Sequence, residues 1–176
     1  MRSGTTLRIF GRDMSVVSSF ELPTFYGYIA ASEKFVYAAC DSERITSLTH
    51  DGTEVAKFNA DKWVHSVVLG PGGLLFCNLY EEGEPEQDEI VALDAQTLQP
   101  RHRFGLSLLN DACGLAVVGE ELFVCDSGNR RLQVFSLAGE HRRSITGKWK
   151  RPKALCFAKG RLYLVEAIKP RPTRSG

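Results

Sequence analysis

Leu122-Phe123-Val124-Cys125-Asp126-Ser127-Gly128-Asn129-Arg130-Arg131-Leu132-Gln133-Val134-Phe135 is the stretch whose reading decides the fold. Its two flanks are short and rich in Val, Leu and Phe, the composition of strands that pack on a pleated surface. Between them stand Asp126, Ser127, Gly128 and Asn129, residues that reverse a chain by bonding local backbone or by tolerating unusual dihedrals. The segment therefore reads as a hairpin. Upstream, Gly114-Leu115-Ala116-Val117 supplies another short apolar run, and downstream Ala138-Gly139 marks a further reversal. One unit is thus four short antiparallel strands.

The same unit recurs along the chain. Apolar clusters equivalent to Leu122-Phe123-Val124 are Phe35-Val36-Tyr37, Leu74-Leu75-Phe76 and Leu162-Tyr163-Leu164, with steps of 39, 48 and 40 residues. A second series runs Leu7-Arg8-Ile9-Phe10, Ile45-Thr46-Ser47-Leu48, Ile90-Val91-Ala92-Leu93 and Leu132-Gln133-Val134-Phe135. The acidic stretch from Glu81 to Asp88 explains the long step as an inserted surface loop. A third series, Gly27, Ser66, Gly114 and Ala154, consists of small residues, as needed where inner strands converge on an axis. A period near 40 with several strands per unit is the signature of a β-propeller. No sustained helical periodicity occurs, so the fold class is all-β.

The spacing predicts a half-blade over 6–20, whole blades over 27–58, 64–104 and 112–145, a half-blade over 151–166, and a basic tail over 170–176. The two half-blades are complementary, the first supplying outer strands and the last supplying inner ones. They can join to close a ring of about four blades, belong to a larger propeller, or be completed by a second chain; the spacing leaves all three open.

The central motif resembles the NHL repeat. Asp126, Asn129, Arg131, Leu132 and Phe135 fall on the marked positions of its apolar-Val-x-Asp-x-x-Asn-x-Arg-Ile-x-Val-Phe pattern. The other units match weakly: Ala39 and Ser42 stand for the aspartate and asparagine in the first, Asn78 for the aspartate in the second, and Glu166 in the fourth. The resemblance implies a propeller, usually of six blades, that acts as a non-enzymatic protein-interaction scaffold. Propellers host many functions, so the motif bears on fold more than on activity. Locally, Asp126 and Asn129 suit the turn, and Arg131 is placed to pair with an acidic neighbour across it.

Composition is that of a soluble globular chain, with 43% hydrophobic and 24% charged residues and no apolar run of membrane-spanning length. The start of the chain lacks a signal-peptide core, so a cytoplasmic or nuclear location is expected. The odd set Cys40, Cys77, Cys113, Cys125 and Cys156 has no CxxC spacing and reads as reduced buried thiols. Charge is polarised: residues 1–127 hold 9 Lys and Arg against 19 Asp and Glu, whereas 128–176 hold 13 against 2. Arg130, Arg131, Arg142, Arg143, Lys148, Lys150, Arg151 and Lys153, with Trp149 among them, form the main candidate binding group. Basic side chains interleaved with an aromatic suit RNA, the alternative to a protein partner. Opposite-charge halves also suit self-association.

The positions before the small axial residues, Tyr26, His65, Cys113 and Lys153, are expected at the channel mouth. Related propellers include metal-dependent lyases and lactonases, which need several His or carboxylate ligands. Here only His65, Cys113 and the nearby Asp111 qualify, and a Cys113–His65 nucleophilic pair lacks an orienting group. No cofactor and no metal site is expected. Gly70-Pro71-Gly72-Gly73 is a hairpin loop, since no helix follows to cradle a phosphate.

Overall fold

The computed structural model describes residues 5–22, 27–39, 43–81 and 87–167. The strands are β1 (Thr5–Phe10), β2 (Val16–Leu22), β3 (Ile29–Ala31), β4 (Val36–Ala39), β5 (Arg44–Leu48), β6 (Glu54–Asn59), β7 (Trp63–Gly70), β8 (Leu74–Tyr80), β9 (Glu89–Asp94), β10 (Pro100–Phe104), β11 (Ala112–Val118), β12 (Glu121–Asp126), β13 (Arg131–Ser136), β14 (His141–Thr146), β15 (Pro152–Ala158) and β16 (Arg161–Glu166). They form three four-stranded sheets, β3 to β6, β7 to β10 and β11 to β14, flanked by the two-stranded sheets β1–β2 and β15–β16. Every neighbouring pair is antiparallel and consecutive in sequence. This is a β-propeller: three whole blades between two half-blades, with β3, β7, β11 and β15 touching one another on the inside. The loop Pro71–Gly73 makes a single 3-10 turn between β7 and β8.

Each blade buries both faces, because its neighbours cover it on either side. Leu75, Cys77 and Leu93 of the second blade pack on Tyr37, Ile45 and Phe58 of the first. Phe76, Ile90 and Ala92, on its opposite face, pack on Leu115, Leu122, Val124 and Phe135 of the third. Two-faced burial explains why these strands read as nearly continuous apolar runs rather than clean alternations. Outer strands add a fixed contact: the Phe104 ring seats on the turn glycine Gly139 of the next blade. That turn needs φ +89°, and a Cβ there would lie 2.7 Å from the ring.

Cross-strand pairing corrects the alignment of two units by one residue. Leu122 pairs with Phe135, and the equivalent pairs are Val36 with Leu48 and Leu75 with Leu93. The clusters matching Leu122-Phe123-Val124 are therefore Val36-Tyr37-Ala38 and Leu75-Phe76-Cys77, not those beginning at Phe35 and Leu74. The aspartate position of the motif consequently falls on Leu79 in the second blade, not Asn78. In the first blade it falls on position 40, outside the described residues, rather than Ala39. Ser42 and the basic tail also lie outside them. A one-residue slip moves a whole strand to the other face, so only the pairing fixes which residues face which neighbour.

Half-blade β1–β2 packs Leu7, Phe20 and Leu22 on Ala38 and Leu48 of the first blade. Half-blade β15–β16 packs Leu155, Leu162 and Leu164 on Cys113, Cys125 and Leu132 of the third. The two halves remain separate sheets: β1 pairs only with β2 and β16 only with β15 among the described residues. Buried thiols occur at Cys77, Cys113 and Cys125, but Cys156 is exposed, because it lies on the face of β15 turned away from the third blade.

Candidate functional site

The inner strands all begin at one end of the propeller, here called the top. The turn between β12 and β13 and the link from β14 to β15 lie at that end. The Asp126 carboxylate organises this turn. It is fully buried, accepts from Arg131 Nε at 2.7 Å, from Asn129 Nδ2 at 3.0 Å to each oxygen, from the Asn110 amide at 2.8 Å and from Gln133 Nε2 at 3.3 Å. A buried carboxylate is tolerable only when its lone pairs are filled in this way. The motif residues therefore brace the turn and leave Asp126 nothing with which to contact a ligand.

Adjacent blades are tied at equivalent places near the top. Asn78 Nδ2 donates to the carbonyl of Ala112 at 2.7 Å, where β11 begins, and Asp88 accepts the Ala112 amide at 2.8 Å. One blade further on, Ser127 Oγ donates to the carbonyl of Pro152, where β15 begins. Asp88 is almost completely buried, and that burial, with Asp111 and Asp126 nearby, raises its carboxyl to about 6 despite the bond from Ala112. Ser127 and Asp88 belong to a bracing system that the motif positions did not signal.

On the axis, Tyr28, Ser66, Gly114 and Ala154 surround an open cavity of about 450 Å³, whose walls also include His65, Leu115, Lys153 and Leu155. A Cβ on Gly114 would lie 2.6 Å from the Cα of Ala154, so glycine is required for β11 and β15 to approach this closely. The pairing of Ile29 with Ala38 matches that of Leu115 with Val124. It puts Tyr28, not Gly27, in the axial slot of the first blade, and Gly27 in the mouth position expected for Tyr26. Tyr26 itself lies outside the described residues. The Tyr28 hydroxyl meets His65 Nε2 at 3.3 Å, and the rings tilt together with centroids 5.1 Å apart. Sequence reasoning missed Tyr28 because a small residue stood beside it.

The expected mouth residues Cys113 and Lys153 do come together, but as a brace. Lys153 Nζ donates to Asp111 Oδ2 at 2.9 Å and to Cys113 Sγ at 3.1 Å, and Arg151 pairs with the same Asp111 oxygen. Burial alone pushes the Asp111 carboxyl up, yet Lys153 and Arg151 hold it below the ordinary carboxylate range. Burial pushes the Cys113 thiol up, despite bonds from Ser127 and Lys153. A buried, protonated thiol is a poor nucleophile. His65 meets the Tyr28 hydroxyl, and its ring also packs edge-on to Tyr80 with centroids 5.6 Å apart. Among the described residues no three His, Cys, Asp or Glu side chains are grouped to hold a metal ion.

The basic group divides instead of forming one patch. Arg131 pairs with Thr146 and Phe135 with His141, so the two ends of β14 lie at opposite ends of the blade. Arg130, Lys148, Trp149, Lys150, Arg151 and Lys153 are at the top, whereas Arg142 lies toward the bottom beside Glu120 and Leu137. Five of the eight basic side chains pair with carboxylates: Arg131 with Asp126, Arg142 with Glu140, Arg143 with Glu121, and Arg151 and Lys153 both with Asp111. Arg143 also lies over the Phe123 ring, 5.7 Å from its centroid. Trp149 packs against the cluster around Cys125, and its indole N–H donates to the carbonyl of Arg130 at 3.0 Å, where φ is +56°. Chain proximity concentrated these charges; strand reversal separated them.

The fold and this axial end define the class as a β-propeller. Among solved structures, the chain is similar to the RRP9 WD40 repeats, with a TM-score of 0.59 and 15% identity over 73% of this chain and 40% of that one. U3-55K aligns equally well, at 0.59 and 15% over 73% of this chain and 41% of that one. The computationally designed Ika4 protein aligns at 0.61 with 11% identity, over 79% of this chain and 89% of that one. The chain thus spans about two fifths of the two WD40 chains. No family model and no curated protein matches the sequence. No helix among the described residues is long and apolar enough to cross a membrane.

Proposed function

We propose that the chain is a non-enzymatic, NHL-like propeller that docks a protein partner at its top, over the axial cavity. The observation that carries this reading is how the top-end side chains are used. Asp111, Cys113, Asp126 and Ser127, the groups with chemical potential, are spent on bracing the blades together with Lys153, while Tyr28, His65 and Ser66 line an open, partly polar cavity whose rim Lys153 also reaches. Such a site combines apolar walls with a few placed polar groups, the usual make-up of a recognition pocket. The WD40 likeness supports the fold on which this reading stands. An RNA surface has less support, because its arginines are largely neutralised and its tryptophan is packed with its donor spent.

The test is affinity capture with the Tyr28→Ala/Lys153→Glu double variant and, as a control at the bottom, Arg142→Glu. Partners identified with the unmodified chain should be lost with the first and retained with the second. Retention with both, or loss with both, would overturn a top-end docking site. Binding of an RNA probe that weakens steeply with salt would instead favour phosphate recognition.

A further inference from the structure

We infer that the axial cavity takes a carboxylate, carried into it as an aspartate or glutamate side chain of the protein partner, a step that rests on the top-end docking reading. The polar groups of the lining are the Tyr28 hydroxyl, the His65 ring, the Ser66 hydroxyl and the Lys153 ammonium. Each of these can donate a hydrogen bond. The Tyr28 hydroxyl and His65 Nε2 meet at 3.3 Å, a long bond that an incoming acceptor can replace. No carboxylate among the described residues lines the opening. An entering cation therefore finds no charged acceptor, whereas an anion meets donors from the first blade, the second blade and the last half-blade.

Lys153 supplies the charge. Its Nζ donates to Asp111 Oδ2 at 2.9 Å and to Cys113 Sγ at 3.1 Å. An ammonium carries three protons, so these two bonds leave one for a ligand. Arg151 pairs with the same Asp111 oxygen, so two cations bear on one carboxylate and the trio is net positive. The Lys153 side chain is 25% exposed: it can be reached, yet it is partly withdrawn from water, which strengthens its pull on an anion. Leu115, Ala154 and Leu155 make the rest of the wall apolar and give the methylenes of an acidic side chain a surface to pack on. A nucleic acid fits less well, because its phosphates repeat along the strand while the lining holds a single lysine.

A row of rings favours a polypeptide over a free acid. Trp63, Tyr80, His65 and Tyr28 follow one another with centroids 5.9, 5.6 and 5.1 Å apart. The row starts at Trp63, which is 39% exposed, and ends in the cavity. A small acid would leave most of it bare. An extended segment that plants its acidic residue beside Lys153 lays the neighbouring residues along the rings, which offer broad, stiff contact at low entropic cost.

The experiment titrates the whole 15N-labelled chain with N-acetyl-glutamate α-amide at constant ionic strength, with N-acetyl-glutamine α-amide as the uncharged match. Amide shifts are followed by NMR. Saturable shifts are expected at Ser66, Leu115 and Leu155, with a Kd of about 1 mM, the range for a ligand of this size. The glutamine probe should bind at least about tenfold more weakly. Lys153→Gln should abolish saturation. Because Lys153 also braces Asp111, Ser66→Ala serves as a second variant that leaves the brace alone; it should weaken the glutamate probe about threefold with the remaining spectrum unchanged. Absence of saturable shifts, equal binding of the two probes, or tighter binding of inorganic phosphate overturns the inference. Partners captured by the unmodified chain should be released by saturating glutamate probe and not by the glutamine probe. Capture that depends on Tyr28 and Lys153 but resists the glutamate probe sinks the carboxylate and leaves top-end docking standing. Capture that does not depend on them sinks the docking reading and the partner-borne carboxylate together.

Discussion

Replacing Asp126 by alanine probes the reading of the signature motif as internal bracing. The side chain is 0% exposed and removes four donors from solvent demand: Arg131 Nε, Asn129 Nδ2, the Asn110 amide and Gln133 Nε2. Breaking a buried charged pair by deleting one partner typically costs about 3–5 kcal/mol. The Arg131 side chain is 28% exposed and can regain some water, so the lower part of that range applies, about 3 kcal/mol. Against a typical total of about 5–15 kcal/mol, this is a large fraction of the stability. Urea unfolding followed by circular dichroism should show a lower midpoint at an unchanged slope. Adding Arg131→Met to Asp126→Ala should recover about 1 kcal/mol or more, because the orphaned guanidinium is then gone. A loss below about 1 kcal/mol, or no recovery in the double variant, would refute the bracing argument and make Asp126 available as a ligand contact.

Other outcomes follow from the same contacts. Gly114→Ala should destabilise by about 1–3 kcal/mol, read as a drop in urea midpoint, because the new methyl meets the backbone of Ala154 and Leu155. Asp88, held up at about 6 from an ordinary 3.8, favours its neutral form when folded. Its contribution is therefore intact below pH 4 and is lost as pH rises through 6. Asp88→Asn should thus gain on the parent between pH 5 and pH 7.5, by about 1 kcal/mol; a difference that does not change with pH contradicts the shift. Brief alkylation of the folded protein, read peptide by peptide, should label Cys156 and spare Cys77, Cys113 and Cys125. The Cys125 thiol is pushed up to about 12 by burial and by neighbouring Cys113.

The repeat length, the hairpins and the blade boundaries were legible because turn residues punctuate the chain at regular spacing. The observed four-stranded sheets run over 29–59, 63–104 and 112–146. Facing was not legible in the first two blades. Phe35 precedes Val36 and Leu74 precedes Leu75, so a three-residue apolar cluster slides by one without losing its character. Strands buried on both faces carry no alternation to break the tie. That slip hid Tyr28 behind Gly27. The braces escaped for a different reason: Asp88 with Ala112 and Ser127 with Pro152 are 24 and 25 residues apart and meet only after neighbouring blades dock. The basic cluster misled because closeness along β14 means distance across the blade.

Tyr28 gives the axial cavity a handedness of its own. Four inner strands related by repetition place a phenol, a hydroxymethyl group, a bare glycine and a methyl at equivalent points around one opening. The scaffold repeats while its lining does not. Besides the Tyr28–His65 pair the lining includes Gly114 and Ala154, one without a side chain and one with only a methyl. Anything inserted along the axis therefore meets aromatic rings at the first two blades and small residues at the third blade and the last half-blade. Rotating it by one blade exchanges those surroundings. Near-symmetry of the fold thus imposes a single azimuth on whatever the opening admits.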